Sequence, residues 1–183
     1  MKLRLKNKIS AILCLPLFLI SCSSELDFDQ IEDFKLEPVF VANFVYFDIP
    51  ASDFTDNGTA HNLAFDAQQF DAFKDQFFKD NLTKTEFDFE ITNTINRAFT
   101  INLLLLNDND EQLQTLSYNI PAYTGTTNVL KFHEIFENQR LDLLKQTTKL
   151  GFVISVNAGS PLNSNSLGNL KLRSSAIIYM KVE

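Results

Sequence analysis

Few side chains in this 183-residue chain have the type and spacing to do chemistry. Asp88 and Glu90 are an acid pair of the kind hydrolases use, one carboxyl giving a proton while the other attacks or activates water. They sit in Glu86-Phe87-Asp88-Phe89-Glu90-Ile91-Thr92, where alternation alone puts charge on one strand face and aromatics on the other. A solvated face is the expected role. Asn107-Asp108-Asn109-Asp110-Glu111 offers oxygen ligands to Ca²⁺, but it lacks the glycine and the later bidentate glutamate of an EF-hand loop. It fits the gap of a hairpin instead. His61 and His133 are the only imidazoles, far apart, with no His or Cys neighbour at ligand spacing. Hydrogen-bonded or surface roles are expected for both. The chain has no Gly-x-Ser-x-Gly elbow, no phosphate loop and no tryptophan for stacking on sugars. No catalytic, cofactor-binding or metal-ligating residue is assigned, and no cofactor is expected.

The two cysteines point to a different chemistry. Lys2, Arg4, Lys6 and Lys8 precede an apolar run, Ile9 to Ile20, of 12 residues. At 1.5 Å per residue that run spans roughly 18 Å as a helix, too short for about 30 Å of hydrocarbon. Leu19-Ile20-Ser21-Cys22 follows directly and resembles the lipobox of bacterial lipoproteins at every position. The resemblance implies a signal peptide over residues 1–21, cleavage after Ser21, diacylglyceryl transfer to the Cys22 sulfur, and acylation (palmitate-type) of the new amino terminus. Cys14 leaves with the signal, so the mature chain has no thiol for a disulfide, a nucleophile or a metal site.

Residues 22–35 are expected to form a lipidated tether. Ser23 to Asp33 holds five acidic residues in eleven and no basic one. This composition resembles the acidic segment that Bacteroidota-type lipoproteins use for surface export. It implies an outer-membrane anchor, with the cell surface favoured over the periplasmic face.

Loss of the signal removes four of 16 basic residues and no acid, leaving 12 positive against 23 negative charges, a net of −11. Such a surface repels phosphate backbones and anionic head groups, which argues against nucleic acid and against electrostatic membrane docking. The lipid must provide the anchor. The 162 mature residues suffice for one domain, expected over 36–183, and 18 phenylalanines can supply its core.

The elements that position these residues read mostly as strands. From Leu36 the chain reads as a strand that Pro50 ends, and over Val39 to Phe47 both alternating sets are largely apolar, which suits a strand covered on both faces or one that swaps partners along its length. About residues 66–81 the period changes: Phe70, Phe73 and Phe77 recur at helical spacing, Asp66 can cap with Gln69, and Phe65 can staple onto Phe70. A helical insertion packed on the domain's own core is expected there. Period two returns at Glu86, and strands follow over 99–106, 112–120 and 126–132. A short helix or helical crossover is expected within 134–148, then strands from Leu150 and from Leu170, separated by a Ser/Asn/Gly loop over 158–168. Leu103 to Leu106, apolar on both faces, marks a central strand.

Seven strands joined mostly by turns predict a mainly β fold, an antiparallel β-sandwich with one or two short helices. Phe89-Glu90-Ile91-Thr92-Asn93, Phe99-Thr100-Ile101-Asn102-Leu103 and Ile120-Pro121-Ala122 resemble the immunoglobulin-like domains of late-embryogenesis-abundant proteins and fibronectin-type repeats. That resemblance implies an immunoglobulin-like sandwich and no particular activity. Three function classes stay open. The leading one is a non-catalytic interaction module with a protein partner, an accessory subunit of an outer-membrane complex, meeting it through a sheet edge or the Ser160–Gly168 loop. A glycan-binding lipoprotein and a hydrolase with an unrecognised site are the alternatives.

Cys22→Ala removes the acceptor sulfur, so the variant is expected to leave the membrane fraction or to accumulate unprocessed, as the parent chain does under globomycin. A variant that fractionates with membranes exactly as the parent does would refute the lipobox reading.

Overall fold

Alternating burial decides which face each strand presents. The computed structural model describes residues 35–56, 59–69, 75–127, 129–159 and 161–182, and Leu36–Val182 forms one compact unit. The signal region, Cys22 and the segment to residue 34 lie outside the described residues. In chain order the strands are β1 (Val39–Pro50), β2 (Thr55–Asp56), β3 (Thr59–Ala60), β4 (Leu63–Gln69), β5 (Leu82–Asn93), β6 (Phe99–Leu106), β7 (Gln112–Ile120), β8 (Val129–Phe136), β9 (Lys149–Val156) and β10 (Asn169–Met180). Helices α1 (Gln76–Asn81) and α2 (Gln139–Gln146) are short.

Eight of these strands make two four-stranded antiparallel sheets, ordered β1-β10-β5-β8 and β4-β9-β6-β7, while β2 and β3 form a small ribbon. The mainly β antiparallel sandwich with short helices is thus as the alternation predicts. Its strand order is the double Greek key of a jelly roll. In an immunoglobulin arrangement the last two strands are neighbours in one sheet. Here β9 and β10 lie in opposite sheets, with β10 inserted between β1 and β5. Phe87, Phe89 and Ile91 of β5 and Ile101, Leu103 and Leu105 of β6 are buried, facing a shared core. As expected, β6 is central in its sheet, with Leu104 and Leu106 half-buried on the other face.

The two apolar sets of β1 have a specific cause. Asn43 pairs with Ser175 and Tyr46 with Arg173, so Phe44 and Val45 together oppose the single residue Ser174. This β-bulge inverts the pleat. Before it the odd residues Val39 and Val41 share the outward register of Ser175 and Ile177; after it Phe47 and Ile49 pack on the core. The Ser174 hydroxyl donates to Val45 O at 3.0 Å and accepts from Val45 N at 2.8 Å, satisfying the backbone that the bulge displaces. Neither a strand covered on both faces nor a change of partner is observed. From Val39 to Asn43 the strand is exposed on both faces.

The helix expected over 66–81 is corrected. Residues 66–69 belong to β4, which pairs with β9 (Phe65 with Phe152, Gln68 with Leu150), and among the described residues of this stretch the helix is Gln76–Asn81. Tertiary strand pairing outweighs the local capping signal at Asp66. The cap is Asp75, whose carboxylate accepts from Phe78 N at 3.1 Å. Phe78 packs on the core, Phe77 is exposed, and Phe70 and Phe73 lie outside the described residues. The second helical segment is shorter than 134–148 because β8 continues to Phe136, whose ring is fully buried. Leu141 and Leu144 then bury one side of α2.

At one end of the sandwich the loops after β1, β5, β7 and β9 are joined by backbone bonds. Asn93, buried, donates from Nδ2 to Arg97 O (2.7 Å) and Pro121 O (2.8 Å) and accepts from Ile95 N (2.9 Å). Gly168 O accepts from Ala51 N at 2.9 Å, and Gly168 has φ +104°. A Cβ there would stand 2.2 Å from Thr94 O, so glycine is required by both conformation and space. Gly125, with φ +102°, has open space around it. Gly125→Ala is therefore expected to cost only the conformational strain, about 1 kcal/mol, and Gly168→Ala clearly more, since Thr94 must also shift. Urea midpoints of the two variants check this, and equal losses would refute the close-approach account.

Candidate functional site

The outward face of β5 carries Lys84, Glu86, Asp88, Glu90 and Thr92, and register decides what stands beside each. Asp88 lies between His133 of β8 and Ser175 of β10; Glu90 lies between Lys131 and Arg173. With Asn43 of β1 these side chains border a shallow groove of about 510 Å³ on the outer face of the first sheet.

Two acids and three bases meet there. His133 Nδ1 is 2.7 Å from Asp88 Oδ1. Lys131 Nζ is 3.0 Å from Glu90 Oε1, and the Arg173 guanidinium closes on Glu90 Oε2 from the other side. The hydrogen bond from Lys131, then that from Arg173, holds the Glu90 carboxyl below the usual range. Beyond the groove Lys171 and Asn169 do the same to Asp48, the lysine at 2.7 Å. Tyr46, paired in register with Arg173, leaves 70% of its surface in solvent beside this row. On the inner face, burial and the Glu134 carboxylate push the Tyr118 phenol up.

Asp88 and Glu90 keep the outward position expected of them, and each is paired. His133 stands mid-strand in β8, not at a strand end, and is brought to Asp88 across 45 residues of sequence. Ser175, Asp88 and His133 line up in that order. The hydroxyl is therefore on the acid's side of the row, and β8 is an edge with no described strand beyond the imidazole. His61 lies in the loop before β4, its N–H donating to Phe54 O. The acidic run at 107–111 is a hairpin turn. Asn107 Oδ1 accepts from Asn109 N and Glu111 N, both at 2.9 Å, and Lys149 Nζ sits 2.6 Å from Asp110. Among the described residues no three His, Cys, Asp or Glu side chains cluster as metal ligands. Cys22 and Ser21 lie outside the described residues, as does Ser160. In the rest of that loop Leu162 is buried and Leu167 exposed, bordering a concavity of about 410 Å³ with Tyr123 and Ile95. Lys131 and Arg173 escaped the sequence reading because their convergence on Glu90 follows from pairings far apart in the chain.

No protein-family model matches the chain, and no curated protein does. Among solved structures it is similar to the VP2 subviral particle of infectious bursal disease virus, at 11% identity and TM-score 0.48, covering 78% of this chain and 32% of that one. It is also similar to tailspike protein 4 of bacteriophage CBA120, at 10% identity and TM-score 0.37, over 80% of this chain and 19% of that one. A Bacillus endospore appendage protein follows at 8% identity and TM-score 0.28, over 79% and 90%. The chain spans about a third of the capsid protein's length. The strand order, not these likenesses, defines the fold.

A depressed carboxylate pKa adds stability above the group's ordinary value, and this is lost as pH falls through the folded value. For Glu90 the ordinary value is 4.5 and for Asp48 it is 3.8. The urea midpoint is therefore expected to fall on acidification below pH 4.5, and Glu90→Gln to be less stable than the parent at pH 7 with a shallower acid decline. An unchanged acid slope would remove the ion-pair row from the account.

Proposed function

We propose that this chain is a lipid-anchored, non-catalytic interaction module of a bacterial outer membrane, held through Cys22, on the cell surface in preference to the periplasmic face, and acting beside a protein partner. The lipobox Leu19–Cys22 and the acidic segment after it support the anchor and its location. The observation that carries the interaction reading is β1. Among the described residues it is an edge strand with Val39, Phe40 and Val41 each at least half exposed, and nothing between Glu37 and Asp48 is charged. Soluble proteins normally blunt such an edge with charge, so an open apolar one favours strand pairing with another chain. A tether to one membrane surface raises the effective concentration of any co-anchored partner, so a small interface is enough.

The groove favours a second reading, glycan binding. An exposed aromatic, Tyr46, stands beside Arg173, whose guanidinium reaches Glu90, and a ring face next to planar polar groups is the mixture that sugars use.

Photo-cross-linking from the β1 edge in intact cells, read by mass spectrometry, tests the module and is expected to trap protein chains at β1 positions. Retention on a glycan array that Tyr46→Ala abolishes, with no protein cross-link, would move the assignment to the second reading. Turnover of a glycan or peptide panel by the purified protein would defeat both.

A further inference from the structure

We infer that the occupant of the β1 edge is a second copy of this chain, joined by antiparallel β1–β1 pairing into a continuous eight-stranded sheet across a two-fold axis. The inference rests on the interaction-module reading and goes on to name the partner.

Pro38 to Phe47 holds ten residues without a charge, flanked by Glu37 and Asp48. The continuously exposed part is Val39 to Asn43, ahead of the bulge. A two-fold axis centred on this run pairs Val41 with its own copy and Val39 with Asn43, with no like charges opposed. The other edge of the same sheet, β8, carries Lys131, His133 and Glu134 and lacks this property. Charge also selects the site. With a mature net charge near −11, two copies repel over most of their surfaces, and a neutral apolar strand lets them approach. β-branched and aromatic side chains at Val39, Phe40 and Val41 are those that stabilise cross-strand pairs. The bulge after Asn43 twists the strand away and limits the pairing to this short run, so one partner joins and a ribbon does not extend.

The test uses the full chain in its membrane. Opposed residues in antiparallel strands place Cα atoms about 4.5–5.5 Å apart, within the span of a disulfide. On oxidation of intact cells, Val41→Cys is expected to yield disulfide dimers at least tenfold above Ile135→Cys, an exposed position on β8. Co-expressed Val39→Cys and Asn43→Cys chains are expected to cross-link to each other. Val41→Lys, tagged and untagged copies together, is expected to lose the co-purification in mild detergent that the parent shows. Equal yields at 41 and 135, or a Val41→Cys chain that stays single or bonds only to a different protein, overturns self-pairing. The last of these results leaves the interaction-module reading standing, and only a failure of all β1 cross-links removes both.

Discussion

Ring packing between the two sheets is the interaction on which this sandwich depends. The only cysteines are Cys14 and Cys22, so Leu36–Val182 has no disulfide to restrain its unfolded state. Stability has to come from buried area, and phenylalanine supplies it. Phe44 stacks on Phe87 with centroids 4.4 Å apart, and Phe87 meets Phe136 edge-on at 5.3 Å, tying β1, β5 and β8 within one sheet. Phe89 to Tyr118 at 5.4 Å and Phe47 to Phe152 at 6.3 Å cross from one sheet to the other. Each fully buried ring contributes roughly 2–3 kcal/mol by area, and favourable ring geometry adds to that.

Those contacts explain the bulge in β1. Phe44, Phe47 and Ile49 must all reach the core, yet without an extra residue Phe44 would be on the face opposite to the other two. One displaced residue, held by Ser174, reconciles them. The cost falls on the first half of the strand, where Val39 and Val41 are committed to the outer face and Phe40 lies at a poorly covered margin. An aromatic core and an apolar open edge are thus two results of one sequence run.

Period two was legible wherever a strand has one buried face, and for that reason β5, β6, β7, β9 and β10 lie close to where alternation puts them. The Asn107–Glu111 hairpin was legible because its chemistry is local. The fate of Asp66 to Gln69 was not, since a capping signal there competes with pairing to β9, where Gln68 meets Leu150 and Gln69 meets Lys149. Nor was the jelly-roll order, because hairpin signals identify sequential neighbours and say nothing about β10 entering between β1 and β5. The groove is the extreme case. Asp88 and Glu90 were visible as an outward pair, but His133 and Arg173 reach them across 45 and 83 residues. Only the sheet order makes them neighbours.

The proposed pairing can be set against the proposed anchor by length alone. In a two-fold pair centred on Val41, each Leu36 lies five residues from the axis, about 17 Å along the strand, so the two copies of Leu36 stand roughly 33 Å apart. The stretch from Cys22 to Lys35 has 14 residues and a contour length of at most about 50 Å. Both lipids can therefore reach one leaflet with the two-fold axis along the membrane normal. A pair then has two lipidated cysteines in place of one, and leaving the membrane requires both to come out together. Since a single acyl group binds only marginally while several bind firmly, pairing and anchoring would reinforce each other.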